Sequence, residues 1–339
     1  MHLGLIGAGN ISGTHARAAA AIDGVRVAAV CGRTRDAAER LAREYGAAAY
    51  DDLERFLDHR PLDAVAIGTP SGLHAAHGIA AAARGLHVLV EKPIDVTTDA
   101  ADRLIAAAAR AGVTLGVIFQ DRLRPDVRRL KAMIDGGRLG APVLAAAAVR
   151  WYRPPAYYAA SRWRGTRALD GGGALMNQGV HTVDLLLHLC GPVRRVTGRT
   201  ATRLHAIEVE DTAVATLEFA SGAIGTIEAA TSAYPGYPRR IELTGSNGTV
   251  RLEGDAIAAI DLRDEPRVSR PVVEPSAAAA SPVVADASAH QAVFEDFVAA
   301  VAARRPPMCD GRSARPSVAV IEAIYESSRR GSAIDVAPE

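Results

Sequence analysis

Two side chains have the type and setting to handle protons and charge at a bound ligand: Lys92 and His181. Lys92 closes the run LHVLVEKPI (86–94), an apolar strand pattern that must stop at Pro93, which cannot donate a ladder hydrogen bond. A lysine at the carboxyl end of a parallel strand lies where open α/β sheets take up ligands; the bland alternative is a surface charge at a strand end. His181 lies in ALDGGGALMNQGVHTVDLLLHLCG (168–191), a helical stretch opened by three glycines. Asn177, His181, Asp184 and His188 recur at helical spacing and share one face of an otherwise apolar helix. Polar groups on such a helix must be satisfied internally or serve a cleft. An imidazole, with an ordinary pKa of about 6.5, exchanges protons near neutrality. His181 is therefore either a general acid–base group or a hydrogen-bonded core histidine. Asp184 could orient it or bind a substrate hydroxyl, while His188 reads as helix packing.

Upstream, WYRPPAYYAASRWRGTRALDGGG gathers Trp151, Tyr152, Tyr157, Tyr158 and Trp163 among Arg150, Arg153, Arg162, Arg164 and Arg167. Aromatic faces stack on sugar rings and arginines bind hydroxyls or phosphate. The same loop could instead pack on another subunit. Tyr152, Trp163 and Arg164 are taken as substrate-binding candidates, with Trp163 and Arg164 nearest the cleft.

The elements that must position these groups fall into two halves. From the start, short apolar runs alternate with helical patterns: LGLIG (3–7), VRVAAVC (25–31), AVAIG (64–68), LHVLV (86–90) and VTLGVIF (113–119), with helices near 11–21, 35–45, 72–84 and 98–111. That order predicts a doubly wound parallel sheet, an α/β fold of Rossmann type. Ser71 and Thr98 read as N-caps, Gly85 and Gly112 as C-terminal glycines. The first turn, Gly7-Ala8-Gly9-Asn10-Ile11-Ser12, follows a strand and opens a helix. Glycines there permit a tight turn and close approach of backbone to a pyrophosphate, although Ser12 stands where the fingerprint prefers glycine or alanine. The second strand ends at Cys31-Gly32-Arg33, with no acidic residue for the ribose hydroxyls of NAD. Gly32 leaves room, and Arg33, Thr34 and Arg35 could hold a 2′-phosphate, so NADP is favoured over NAD. Arg35 could equally be a solvated charge.

After residue 143, strand follows strand: 143–152, 193–204, 211–220, 223–232, 239–246 and 248–254, separated by turn signals such as Ser221-Gly222 and Asn247-Gly248. This predicts an α+β domain with a large, mostly antiparallel open sheet. Residues 264–287 read as an exposed connection with an edge strand near Val272 and Val273. Two helices, about 288–304 and 313–330, close the domain, the first capped by Ser288. The expected division is 1–121 and 122–339.

With 339 residues there is room for two cores. Net charge is +1 from 39 basic and 38 acidic side chains, which leaves no electrostatic footprint for nucleic acid or an anionic membrane. The three cysteines are far apart and read as reduced, buried hydrophobes. No metal-ligand spacing is present, and no metal is expected. Met1 leads straight into a strand without signal-peptide character, and no apolar run is long enough to span a bilayer, so a cytoplasmic protein is expected.

The conjunction of GLIGAGNIS, GTPSGLHAAHGIAAAARGLHVLVEKP and GGGALMNQGVHTVDLLLHLCG resembles the Gfo/Idh/MocA family of oxidoreductases over nearly the whole chain. The resemblance implies NAD(P)-dependent oxidation or reduction of a sugar, cyclitol or sugar derivative. It implies Lys92 and His181 as catalytic groups meeting at a bound nicotinamide, with a Lys92–Pro93 bond that is often cis. Thr69, Pro70, His74, Glu91, Lys92 and Gln120 match positions that border the cofactor. Asn177 and Asp184 would bind substrate hydroxyls. Asn177 departs from the family's common aspartate and cannot accept a proton, so His181 must do so alone or through Lys92. A homodimer or homotetramer through the open sheet is also implied. Redox-assisted glycoside cleavage with a retained cofactor, and a non-catalytic dinucleotide sensor, are the alternatives.

Overall fold

The structure, a computed structural model, describes residues 1–266, 268–269 and 287–336. The chain divides into two compact units, Met1–Gln120 with Val284–Arg315, and Asp121–Val283 with Pro316–Glu339.

The first unit alternates strand and helix: β1 (His2–Ile6), α1 (Asn10–Ala20), β2 (Arg26–Cys31), α2 (Arg35–Tyr45), β3 (Ala48–Tyr50), α3 (Leu53–Leu57), β4 (Ala64–Ile67), α4 (His74–Ala82), β5 (His87–Glu91), α5 (Thr98–Ala111) and β6 (Leu115–Ile118). The sheet is wholly parallel, in the order β3-β2-β1-β4-β5-β6. The order reverses between β1 and β4, the place where such sheets open a ligand crevice. Short runs such as AVAI of β4 are buried at every position, as expected for strands covered on both faces. Thr97, one residue before the expected Thr98, caps α5 by accepting from the Ala100 amide at 3.2 Å.

Helix α9 (the described Ser288–Ala303) also belongs to this unit, not to the second domain where the sequence reading put it. The reason is its apolar stripe. Phe294 packs against His15 with ring centroids 5.6 Å apart, and Phe297 fills the space that side-chain-free Gly116 leaves on β6. Ser288 is the first helical residue and no side-chain cap precedes it. The expected edge strand at Val272 and Val273 lies outside the described residues.

The second unit contains α6 (Pro125–Asp135), β7 (Pro142–Arg150), α7 (Pro155–Ala159), α8 (Val180–Cys190), β8 (Val193–Ala201), β9 (Thr212–Phe219), β10 (Ile224–Ala230), β11 (Arg240–Gly245), β12 (Gly248–Glu253), β13 (Ala256–Leu262), β14 (Val268–Ser269) and β15 (Ile334–Asp335). Its nine-stranded sheet runs β14-β13-β12-β11-β7-β10-β9-β8-β15, antiparallel throughout except for the parallel β7–β10 pair. In β9, Ala213, Ala215, Leu217 and Phe219 are buried while Val214 and Thr216 face out, the alternation of a sheet covered on one side. The last helix, α10 (Gly311–Arg330), carries the division between the units at Arg315 and Pro316. Cys31 and Cys309 are buried, and all three cysteines are free thiols. Among the described residues no helix is long and apolar enough to cross a membrane, and no group of three or more His, Cys, Asp or Glu side chains could hold a metal ion.

Candidate active site

In the first unit, Gly7 has φ +116°, and a Cβ there would come within 2.7 Å of the Gly68 carbonyl. Only glycine fits this turn. At Gly9, the residue before α1, a Cβ would meet nothing within 4 Å, and the glycine supplies no side-chain cap. The first amides of α1, at the positive end of a helix dipole, thus have no capping side chain. That suits an anionic pyrophosphate. Ser12 Oγ and Gln120 Oε1 are buried without a hydrogen-bond partner, and both can serve a ligand's polar groups. These residues fit a nicotinamide dinucleotide.

At the adenosine end, Arg33 is exposed and no carboxylate among the described residues pairs with it. Arg35 is held by Glu39 at 2.8 Å, which takes it out of the candidate set. Thr34 caps α2 through the Ala37 amide. Gly32 does not leave room, contrary to the sequence reading: a Cβ would meet the Ala38 amide nitrogen, the Ala8 Cβ and the Thr34 carbonyl oxygen, each at 3.1 Å, so its bareness serves close packing.

Lys92 follows β5 directly and is half-buried, and the Lys92–Pro93 bond is cis as the resemblance implied. Three expected cofactor contacts, His74, Thr69 and Glu91, are otherwise engaged. His74 is buried, with Nδ1 2.8 Å from the Pro93 carbonyl and Nε2 3.0 Å from the Thr69 carbonyl. It braces the loop after β4 against the segment that carries Lys92. Thr69 Oγ1 is 3.1 Å from Nδ1 of His77, and Pro70 stays half-buried beside it. Glu91 is buried and directed at His15, not at a nucleotide.

In the second unit the glycine triplet opens a six-residue π turn, Ala174–Gly179, before α8 begins. Glu210 builds it. Its carboxylate accepts from the Gly173 amide at 3.1 Å and the Leu175 amide at 2.8 Å, and from the Tyr325 hydroxyl at 2.9 Å. A Cβ on Gly172 would strike the Tyr325 hydroxyl, and one on Gly173 the Glu210 carbonyl. Wide turns of this kind concentrate at functional sites.

His181 follows the turn at the start of α8, and its side chain is 14 % exposed. Its partner is not Asp184, as the helical spacing suggested, but Asp121: Nδ1 lies 3.7 Å from Oδ2. Asp121 also receives Arg239 and Arg124. Burial opposes its ionisation, yet Arg239, His181 and Arg124 together hold it well below the usual carboxylate range. Asp184 is buried and accepts both arms of Arg122, Nε at 2.8 Å and Nη2 at 2.5 Å, so it is corrected from substrate ligand to structural partner. Arg122 is buried for the same reason. His188 is half-buried and pushed down to about 4 by burial, with Arg122 and Lys131 adding to it.

Asn177 donates to Asp170, which is 1 % exposed and also accepts from the Gly165 amide at 2.7 Å. Gln178 receives Arg153 at 2.8 Å and donates to the Tyr157 hydroxyl at 3.1 Å. Arg164 lies over Tyr157 at 4.3 Å and 5.6 Å from the Trp163 ring, and no described carboxylate is within ion-pair reach of it. Tyr152 is half-buried, edge-on to Tyr234 at 5.3 Å. Asp121, Asp170, Gln178 and Glu210 were all missed. Asp170 had a readable signal, a carboxylate directly before a glycine triplet.

A Rossmann sheet with an open glycine turn and a lysine at the end of β5, followed by an α+β unit bearing a supported histidine, defines an NAD(P)-dependent oxidoreductase. Residues 1–119 match the model of the oxidoreductase family with NAD-binding Rossmann fold, and residues 127–251 that of the GFO/IDH/MocA C-terminal domain. The chain belongs to the Gfo/Idh/MocA family. It is 30% identical to inositol 2-dehydrogenase 2 of Saccharopolyspora erythraea, over 80% of this chain and 78% of that one. It is 27% identical to D-apiose dehydrogenase of Paraburkholderia graminis, over 98% and 88%. The WlbA dehydrogenase of Bordetella pertussis, crystallised with NADH and UDP-GlcNAcA, superposes with a TM-score of 0.89 at 34% identity, covering 100% of this chain and 99% of that one.

Proposed function

We propose that the protein oxidises a secondary alcohol of a sugar, cyclitol or sugar derivative, or reduces the corresponding ketone. The observation that carries this is the placement of Lys92 at the carboxyl end of β5 in the same sheet whose β1 feeds the open glycine turn. The chemistry supplied by the bound cofactor is hydride transfer to or from the substrate carbon. Lys92 binds the reacting oxygen and stabilises the negative charge that develops there. His181 takes the hydroxyl proton in oxidation and returns it in reduction, with Asp121 stabilising its charged form. Asn177 holds a neighbouring hydroxyl. It cannot accept a proton, so the proton goes to His181.

The substrate reading extends to a derivative with an anionic group. Arg164 supports it, as a cation flanked by Tyr157 and Trp163 with no described carboxylate in reach, and so does the likeness to a dehydrogenase crystallised with UDP-GlcNAcA. Tyr152 and Trp163 supply the stacking faces. NADP is the favoured cofactor, because Arg33 replaces an acidic residue after β2. Self-association through the open sheet is supported by Leu144 and Ile224, register partners 46% and 60% exposed on adjacent strands, and by Val214 at 51% on β9.

A panel of neutral, acidic and nucleotide-linked sugars and of cyclitols, assayed for reduction of NADP and NAD, tests the reaction. Lys92→Met and His181→Ala each lose most turnover while cofactor affinity stays. Normal rates in either variant would defeat the assignment. Light scattering after size exclusion tests the association, and a monomer at all concentrations removes it.

A further inference from the structure

Glu91 is charged, buried and so far without a role. It is 7% exposed, at the end of β5 and next to Lys92. Oε1 accepts from Nε2 of His15 at 2.9 Å, and Nε2 of His290 approaches the same oxygen at 3.7 Å. Oε2 accepts the backbone N–H of Lys92 at 3.0 Å. His15 is fully buried on α1 and His290 is 3% exposed on α9. The Nδ1 atoms of both rings are buried with no hydrogen-bond partner. A buried N–H without an acceptor is costly, so each ring directs an Nε2 proton at Glu91. Burial holds His15 below its ordinary range, against the pull of Glu91. Three donors converge on two carboxylate oxygens. A glutamine would turn its NH2 towards one of them.

We infer that Glu91 is a positioning residue for Lys92: its carboxylate holds the Lys92 amide and ties that peptide through His15 to α1, the helix that follows the glycine turn, and through His290 to α9. The inference rests on the reading of Lys92 as the group that binds the reacting oxygen. It assigns to Glu91 no contact with the nucleotide.

The chain offers a direct probe, because Lys131 is its only other lysine. In the full-length protein, competitive acetylation with acetic anhydride, read by mass spectrometry, reports Lys92 reactivity relative to Lys131 without any substrate. NADPH fluorescence gives the cofactor Kd. For Glu91→Gln the expected results are a change of about fivefold or more in the labelling ratio, a kcat loss of about thirtyfold or more on the best substrate of the panel, and a Kd within about threefold of wild type. Adding Glu91→Gln to Lys92→Met costs no further kcat beyond about twofold, since the two act through one group. His290→Phe removes one neighbour of Glu91 and keeps a ring in place. It shifts the labelling ratio in the same direction by about two- to threefold, and carries the test where Glu91→Gln fails to fold. An unchanged labelling ratio, a Kd that weakens in step with kcat, or additive losses in the double variant would overturn the inference. Full activity in Lys92→Met would overturn the reading of Lys92 beneath it, whereas an inactive Lys92→Met beside a normal Glu91→Gln would overturn the positioning role alone.

Discussion

Asp184 and Arg122 face each other through a two-armed ion pair, with Nε 2.8 Å from Oδ2 and the second arm on Oδ1, both side chains shut away from solvent. The pair links the segment after β6 to α8, the helix that carries His181. Removing one partner leaves an uncompensated buried charge. Arg122→Met is expected to cost about 3–5 kcal/mol of stability by urea unfolding, and Arg122→Met with Asp184→Leu to recover much of it. A single variant of wild-type stability would show that the pair contributes little.

Asp121 beside His181 makes a kinetic prediction. A carboxylate at 3.7 Å stabilises the imidazolium, so its removal makes protonation harder and moves the acid limb of the pH–rate profile to lower pH. Asp121→Asn is expected to lower kcat about ten- to hundredfold with cofactor affinity intact. An acid limb that stays put would assign it to another group.

Glu210 supports the π turn through two backbone amides and Tyr325. Its replacement by alanine leaves those amides without their acceptor, at a cost of about 2–4 kcal/mol together. Turnover falls further than stability alone explains, because Asn177 lies in the turn and His181 follows it. A variant with lower Tm but full kcat at low temperature would separate the turn from the chemistry.

Two histidines contribute to the response to acid. Burial pushes both His77 and His188 down to about 4, with His74 adding for the first and Arg122 for the second. Between about 4 and the ordinary value of about 6.5 the unfolded chain binds protons that the folded chain refuses, so stability rises with pH across that window and is lost as pH falls through it. The urea midpoint is expected to drop between pH 7 and pH 5, and His77→Gln with His188→Gln to flatten the slope. An equally steep slope in the double variant would place the sensitivity elsewhere.

Arg33 decides between cofactors. Arg33→Ala is expected to lower kcat/KM for NADP about ten- to hundredfold and leave NAD nearly unchanged. Equal losses for both would make Arg33 a general contact, and a wild-type preference for NAD would remove the role.

The parallel sheet was readable because each β-strand and helix announces itself within a few residues, and Gly7 and Gly9 carry their own conformational reason. β13 was missed because AIAAIDL lacks the alternation of a half-exposed strand; Ile257, Ala258, Ile260 and Leu262 are all buried. Lys92 and His181 could be singled out by residue type and position. Their supporting carboxylates could not. Asp121 is sixty residues from His181, and Glu210 lies 37 from Gly173, so no local period links them. Helical spacing placed Asp184 near His181, but spacing says nothing of Arg122, which claims it from a different element. The π turn likewise comes from contacts with Glu210, not from any preference of ALMNQG for a wide helix.

The return of Ser288–Ala303 to the first unit has a consequence for how this protein is made. His290, Phe294 and Phe297 complete the core beside His15, Glu91 and Gly116, yet they are synthesised after every strand of the second sheet from β7 to β14. The nucleotide-binding lobe thus emerges from the ribosome with one wall missing and must wait, partly open, until Ser288–Ala303 is made. Expressed as residues 1–120 alone, it would leave that apolar surface bare and call for a chaperone.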